Sequence, residues 1–377
     1  MTEQTETLII GAGQAGLSTG YHLARRGRRF LILEAEPRVG DIWRHRFDSL
    51  RLYSPAWADS LPGFPFPAER WSYPTKDQMG DYLEAYAGKF ALPIRTGVVV
   101  EDVCRDGDGY IVTAGPHRFQ AENVVVASGT FQRPVLPPFA GRLDPAIRQL
   151  HSGDYRNPTQ LQDGPVLVVG ASHSGGDIAF EVARTHPTIL AGRDRGQIPF
   201  RHDSRTAHVI FPIMVFLARH VLTMRTPVGR RIRHEVRTHG GPLIRVRRAD
   251  LAAAGVERVQ DRVLGVRDGR PVLEDGRVLD VTNVIWCTGF DKDAGWIRIP
   301  VLGDDGWPEQ RRGAVPTSPG LYFVGLPFLQ SFSSMLVAGV GRDARYVAQQ
   351  IANAGARRAR QSTAPRGATS IAATPRA

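Results

Sequence analysis

The sequence predicts an α/β chain built from two copies of one strand–turn–helix–strand unit, the second inserted within the first. Three observations carry this. Leu8, Ile9 and Ile10 form an apolar run that meets Gly11, Gly13 and Gly16; a helical pattern follows, and a second apolar run ends at Glu34. Val166–Val169 leads in the same way into Gly170, Ser172 and Gly175, the helical stretch GDIAFEVART, and an apolar segment ending at Arg193. The third observation is a pair of exits. VVVASGTFQRP (residues 124–134) and VIWCTGF (residues 284–290) are apolar strands closing on small residues, each near the end of a unit.

Each glycine of the first turn has a physical reason. Gly11 permits the tight turn, Gly13 lets the backbone approach a pyrophosphate, and Gly16 lets the helix pack closely on the strand. The helix N-terminus then faces the phosphates. Glu34 lies 23 residues after Gly11, where a carboxylate accepts hydrogen bonds from ribose hydroxyls. Arg193 lies at the same offset from Gly170. A carboxylate there favours a free 2′-hydroxyl and repels a 2′-phosphate, whereas a guanidinium clamps that phosphate. The first unit therefore suits FAD and the second NADPH, with Arg195 a second candidate for the phosphate. The alternative for Arg193 is an ordinary surface arginine. Two dinucleotides in one chain imply hydride transfer from nicotinamide to flavin, for which the protein supplies binding and orientation. The fold class expected is α/β, with two Rossmann-like domains and the NADPH domain inserted in the FAD domain.

A chain of 377 residues, 42% hydrophobic, is long enough for two globular domains. Its two cysteines, Cys104 and Cys287, form no C-x-x-C, so neither a disulfide framework nor a dithiol pair is expected. The compartment reads as cytoplasmic: there is no signal-peptide pattern and no apolar run long enough to span a bilayer. The formal charge of +11 is localised. Residues 219–248 carry nine arginines and one acid, Glu235; residues 354–377 carry five arginines and no acid, so the remaining body is close to neutral. No aromatic interleaving accompanies the charge, and no nucleic-acid partner is expected. Nor is a metal ion.

These features divide the chain into residues 1–157, the first part of the FAD-binding domain; 158–291, the NADPH-binding domain with an apolar and basic insertion at 209–248; 292–353, the return to the FAD domain; and 354–377, a disordered basic tail. The stretch VIFPIMVFLARHVL (residues 209–222) is apolar on nearly every side and precedes the arginine-rich segment. It reads as a lid over the cleft or a plain core helix in preference to an interfacial membrane anchor. The oligomeric state is open.

Together, GAGQAG, GDIWRHRFDSLRLYSP, YPTKDQMGDYLEAYA, VVVASGTFQRP, HSGDYRNP, SHSGGD and WCTGF make residues 6–350 resemble the class B flavoprotein monooxygenases, a family that includes flavin-containing, Baeyer-Villiger and YUCCA-type enzymes. The short YUCCA-type and related bacterial members are the most similar. The resemblance implies that NADPH reduces FAD and that the reduced flavin takes up O2 as a C4a-(hydro)peroxyflavin, which gives one oxygen atom to a small organic substrate. Expected FAD contacts are Gly11, Gly13, Gln14, Ala15, Gly16, Glu34, Ile42, Trp43, Ser128, Gly129 and Gly325. Expected NADPH contacts are Gly170, Ser172, His173, Ser174, Gly175, Gly176, Asp177, Arg193 and Arg195. Trp43 reads equally as a packing aromatic. No catalytic side chain is singled out.

The chain departs from the family pattern in places. Of the fingerprint F-x-G-x-x-x-H-x-x-x-(F/W/Y), His151 and Tyr155 fit, but Pro145 and Ile147 stand where Phe and Gly are expected. Pro55 stands where animal-type members place an asparagine, and Ser128 where threonine is usual. Two other functions stay open beside the monooxygenase: an NADPH:acceptor flavin reductase or oxidase without oxygen insertion, and a non-catalytic cofactor sensor.

Overall fold

The computed structural model describes residues 2–292 and 294–363. The first sheet runs Ile94–Arg95, Phe30–Leu33, Thr2–Ile10, His117–Val126, Gly109–Ala114, Asp102–Asp106. Its first four strands are parallel and the last two join antiparallel. Leu321–Phe323 adds in parallel to residues 124–126, the part of His117–Val126 that Gly109–Ala114 does not reach. Neighbouring side chains of a strand point to opposite faces, so the apolar run at its centre serves two cores. Ile9 packs with Leu17, Leu23, Val340 and Val347, beneath helices Gln14–Ala24 and Val337–Thr363. Leu8 and Ile10 pack with Val103, Val112 and Trp307 on the other face.

The second sheet is wholly parallel, in the order Glu257–Val259, Thr188–Ala191, Val166–Val169, Asn283–Trp286, Arg148–His151. Val166 and Val168 share a core with Ile178 and Leu190, and Leu167 and Val169 with Leu279 and Trp286. The two exits meet: Arg133–Pro134 pairs antiparallel with Phe290–Asp291, and the Val135 N–H donates to the Gly289 carbonyl at 3.1 Å.

Three expectations are corrected. Arg148–His151 was expected in the first domain but pairs with Asn283–Trp286 in the second sheet; its RQLH sequence has no strand pattern of its own, and pairing makes it a strand. The last helix continues to Thr363 where a disordered tail from residue 354 was expected. Alanine, arginine and glutamine favour helix there, and Arg358 pairs with Glu122 at 2.5 Å. Residues 364–377 lie outside those described. The third concerns helix Arg205–His220, which with helix Pro227–Thr238 forms a strap from the second unit across the first. Phe211 meets Trp57 edge-on at 6.2 Å, His208 stacks on Trp71 at 4.1 Å, the Met224 N–H donates to the Gln330 carbonyl at 2.8 Å, and Arg237 pairs with Asp305 at 3.1 Å. The strap covers the first unit, but it is no core helix: Val209, Ile213 and Phe216 are 66%, 54% and 58% exposed.

Candidate dinucleotide sites

In the first turn the glycines act differently from one another. Gly11 has φ +103°, and a Cβ there would lie 2.7 Å from the Ala127 carbonyl oxygen. A Cβ at Gly16 would overlap the Gly11 carbonyl, so this glycine sets how closely the helix lies on the strand. At Gly13 a Cβ would meet no protein atom within 4 Å. Its smallness leaves a cradle open beside the N-terminus of helix Gln14–Ala24, whose first N–H groups carry no side-chain cap. These features fit a diphosphate. Glu34 closes the cradle: its Oε2 accepts from the Ala12 N–H at 2.5 Å and its Oε1 from the Glu36 N–H at 3.0 Å, while burial pushes its carboxyl up. Ser128 and Gly129 arrive on the neighbouring strand, where the Gln132 amide donates to the Ser128 hydroxyl at 3.0 Å and to the Gly129 carbonyl at 2.9 Å. Gly325 follows Leu321–Phe323 with φ +88°, and a Cβ there would press to 2.8 Å on that of buried Ala15, next to Gln14. All of these lie at the C-terminal ends of parallel strands, where α/β sheets bind ligands.

The second turn repeats the first. Gly170 has φ +114°, and a Cβ there would overlap the Cys287 carbonyl; at Gly175 it would overlap the Gly170 carbonyl. Ser172 has φ −82° and ψ −179°, close to −72° and −175° at Gly13, so the serine replaces a glycine whose backbone any residue can adopt. Its hydroxyl does not cap helix His173–Val182. It donates to the Gly241 carbonyl at 2.8 Å, just beyond the strap. Gly176 lies against Leu243, where a Cβ would come to 2.5 Å, and Ser174 is half-buried on the first helical turn.

His173 packs edge-on against Tyr53 at 5.1 Å, and burial lowers its pKa. Asp177 is 1% exposed and turned into the protein; its Oδ2 accepts from the Tyr53 hydroxyl at 3.0 Å and from Arg245 at 3.2 Å. Burial pushes the Asp177 carboxyl up against the opposing pull of Arg245, and holds the Tyr53 hydroxyl well above its ordinary range. The arginines expected to hold a phosphate stand apart: Arg193 and Arg195 are exposed and make no ion pair among the described residues. Asp194 between them pairs instead with Arg248 at 2.8 Å and Arg258 at 3.0 Å, which bring its pKa down to about 2.

Between the turns, Trp43 packs into the cores of both units, while Ile42 is 38% exposed. Arg46, which the residue patterns do not single out, lies over the rings of Phe131 at 4.7 Å and Phe290 at 5.5 Å, at the two exits. Burial lowers its pKa to about 10, and its Nε donates to the Ile42 carbonyl at 3.2 Å. His151 of the half-present fingerprint sits on the same junction, with Nε2 at 2.9 Å from the Gly289 carbonyl. Glu36, Asp41 and His45 bring possible metal-ligand atoms within 4.8 Å of one another, but Asp41 is paired to Arg44 at 2.9 Å.

Two glycine turns, each at the C-terminal ends of parallel strands, give an α/β architecture with two matched candidate dinucleotide sites. The comparisons agree. Residues 8–214 match the pyridine nucleotide-disulphide oxidoreductase family. An uncharacterized CzcO-like oxidoreductase of Geobacillus kaustophilus is 38% identical over 355 residues, 94% of this chain and 100% of its own length. The Arabidopsis thaliana protein named probable indole-3-pyruvate monooxygenase YUCCA3 is 29% identical, over 92% of this chain and 86% of its own. Among solved structures, a flavin-containing monooxygenase from Stenotrophomonas maltophilia superposes with TM-score 0.75 at 26% identity, over 94% of this chain and all of its own. A bacillithiol disulfide reductase from Staphylococcus aureus shares the fold, with TM-score 0.68 at 16% identity. The chain belongs to the pyridine nucleotide-disulphide oxidoreductase family, and its monooxygenase relatives and structural neighbours support a place among the class B flavoprotein monooxygenases. It is a flavin-dependent oxidoreductase.

Proposed function

We propose that the chain is an NADPH-dependent, FAD-containing monooxygenase that consumes NADPH, a proton and O2, places one oxygen atom in a small organic substrate, and releases the other as water. The observation that carries the coenzyme assignment is the pair of matched turns with opposite charges at their second strands, Glu34 and Arg193. Gly11, Gly13, Gln14, Ala15 and Gly16 would cradle the FAD diphosphate, with Glu34 on the ribose and Ser128, Gly129 and Gly325 closing the cavity. Gly170, Ser172, Ser174 and Gly175 would hold the NADPH diphosphate, and Arg193 with Arg195 its 2′-phosphate. When bound, the flavin accepts hydride and reacts with O2. The side chains at the junction orient the two ligands: Trp43 and Ile42 from the first unit, His173 from the second, and buried Asp177 positioning Tyr53 and Arg245 behind them.

A second reading, an NADPH:acceptor reductase or oxidase, is favoured by Pro145 and Ile147 in place of the first half of the fingerprint. Rapid mixing of NADPH-reduced, FAD-loaded protein with O2 separates the two. A distinct absorbing species that forms on mixing and persists before the oxidised flavin spectrum returns is the expected result. Direct return of the oxidised flavin spectrum would assign the chain to the second reading.

A further inference from the structure

We propose that the outer face of helix Arg205–His220, with the turn that follows it, docks on an anionic lipid surface. Val209, Ile213 and Phe216 recur at helical spacing and are 66%, 54% and 58% exposed; Met214, Leu217 and Val221 flank them at 38%, 41% and 37%. The fold does not use this face. The helix rests on the first unit through its other side, where Ala207 and Ala218 are buried and Phe211 meets Trp57. Val228, at the start of the next helix, is 51% exposed and extends the apolar surface beyond the turn. A contiguous exposed apolar surface of this kind marks an interaction site.

Charge selects the occupant. Arg205, Arg225, Arg230 and Arg231 border the apolar residues, all are exposed, and none makes an ion pair among the described residues, while Arg219 turns its guanidinium to the Ala338 carbonyl of the first unit. Glu235 is the single acid between residues 205 and 248. A second copy of the chain in a two-fold contact would bring the same arginines face to face, at a cost in like-charge repulsion. A lipid interface offers acyl chains for the apolar face and phosphates for the guanidinium groups that border it. No described helix is long and apolar enough to cross a membrane, so the contact is with its surface. Because the inner side of the strap lies on the first unit, docking would hold that unit against the lipid. The inference is independent of the reaction proposed above.

Sedimentation of the flavin-loaded full chain with phosphatidylcholine vesicles, with and without phosphatidylglycerol as about a third of the lipid, tests it. The protein is expected to pellet with the anionic vesicles, and to bind at least about tenfold more weakly to phosphatidylcholine alone or at high salt. Ile213→Ser with Phe216→Ser should lower partitioning about tenfold or more, with melting temperature and NADPH oxidation unchanged. Arg225→Gln, Arg230→Gln and Arg231→Gln together should lower it about a hundredfold. Wild-type protein that stays in the supernatant with anionic vesicles would overturn the proposal, as would binding that neither set of changes alters. A dimer in solution that the Ile213→Ser, Phe216→Ser protein no longer forms would assign the face to a second copy instead.

Discussion

The two glycine turns share a backbone and differ in what surrounds it. In both, the first glycine has positive φ and abuts a carbonyl of the neighbouring strand, and the third lets the helix settle on the turn. They part at the end of the second strand. Glu34 folds inward and binds the turn it follows, whereas Arg193 is exposed and makes no ion pair among the described residues, although its charge helps hold the Glu274 carboxyl down. The buried acids differ too. Asp177 of the second unit has a cation in Arg245, while Asp59 of the first is fully buried, accepts from the Ser54 hydroxyl at 2.5 Å, and leaves Oδ2 without a partner. Geometry common to both units is therefore set by packing, and the differences by charge.

The largest expected effect breaks the shared geometry. Gly16→Ala or Gly175→Ala would drive a Cβ into a carbonyl oxygen and should cost roughly 3 kcal/mol or more, read as a fall in melting temperature, with flavin lost from the Gly16 variant. Gly13→Ala should melt like wild type yet retain less flavin, because a Cβ there meets no protein atom within 4 Å. Equal melting of all three would show that the turns are looser than their contacts imply.

The contrast between buried acids predicts a pH dependence. Burial pushes the Asp59 carboxyl up to about 8 from an ordinary 3.8. Between those values the folded chain holds a proton that the unfolded chain has released, so this group makes stability fall as pH rises from about 4 to about 8. Asp59→Asn should remove that decline, read in urea unfolding as a stability that no longer falls as pH rises through this range. A wild-type stability that is flat over this range would mean that Asp59 is ionised in the fold.

Arg193→Ala sharpens the contrast in charge. It should raise the KM for NADPH about ten- to a hundredfold and leave NADH almost unaffected, the signature of a lost phosphate contact. An equal loss for both coenzymes would remove Arg193 from the site. The smallest effect belongs to Ser172→Gly, which restores the usual glycine but breaks the hydrogen bond to Gly241; NADPH use should change by no more than about threefold.

Features with a local signature were legible in the sequence. Both turns, the helices after them and the paired exits follow from glycine spacing and apolar runs within about thirty residues. What escaped depends on distant partners. Arg148–His151 becomes a strand by pairing with residues 135 positions away, and Tyr53 meets Asp177 across 124 positions. Arg46 gains its surroundings because two exits far apart in sequence bring Phe131 and Phe290 together. The last helix was underestimated for another reason: a composition rich in arginine and alanine resembles a solvated tail until Glu122 provides a counter-charge.

The pairing of Arg133–Pro134 with Phe290–Asp291 bears on how the molecule can move. The chain crosses between units twice here, and the two crossings are bonded to each other. Two separate tethers would allow the units to slide and twist past one another; a ribbon of two joined strands acts as a single hinge pin, stiff to shear and free mainly to rotate. Any opening between the dinucleotide sites would then be a swing about this ribbon, and the strap, anchored on the first unit at Gln330 and Asp305, would limit how far it goes.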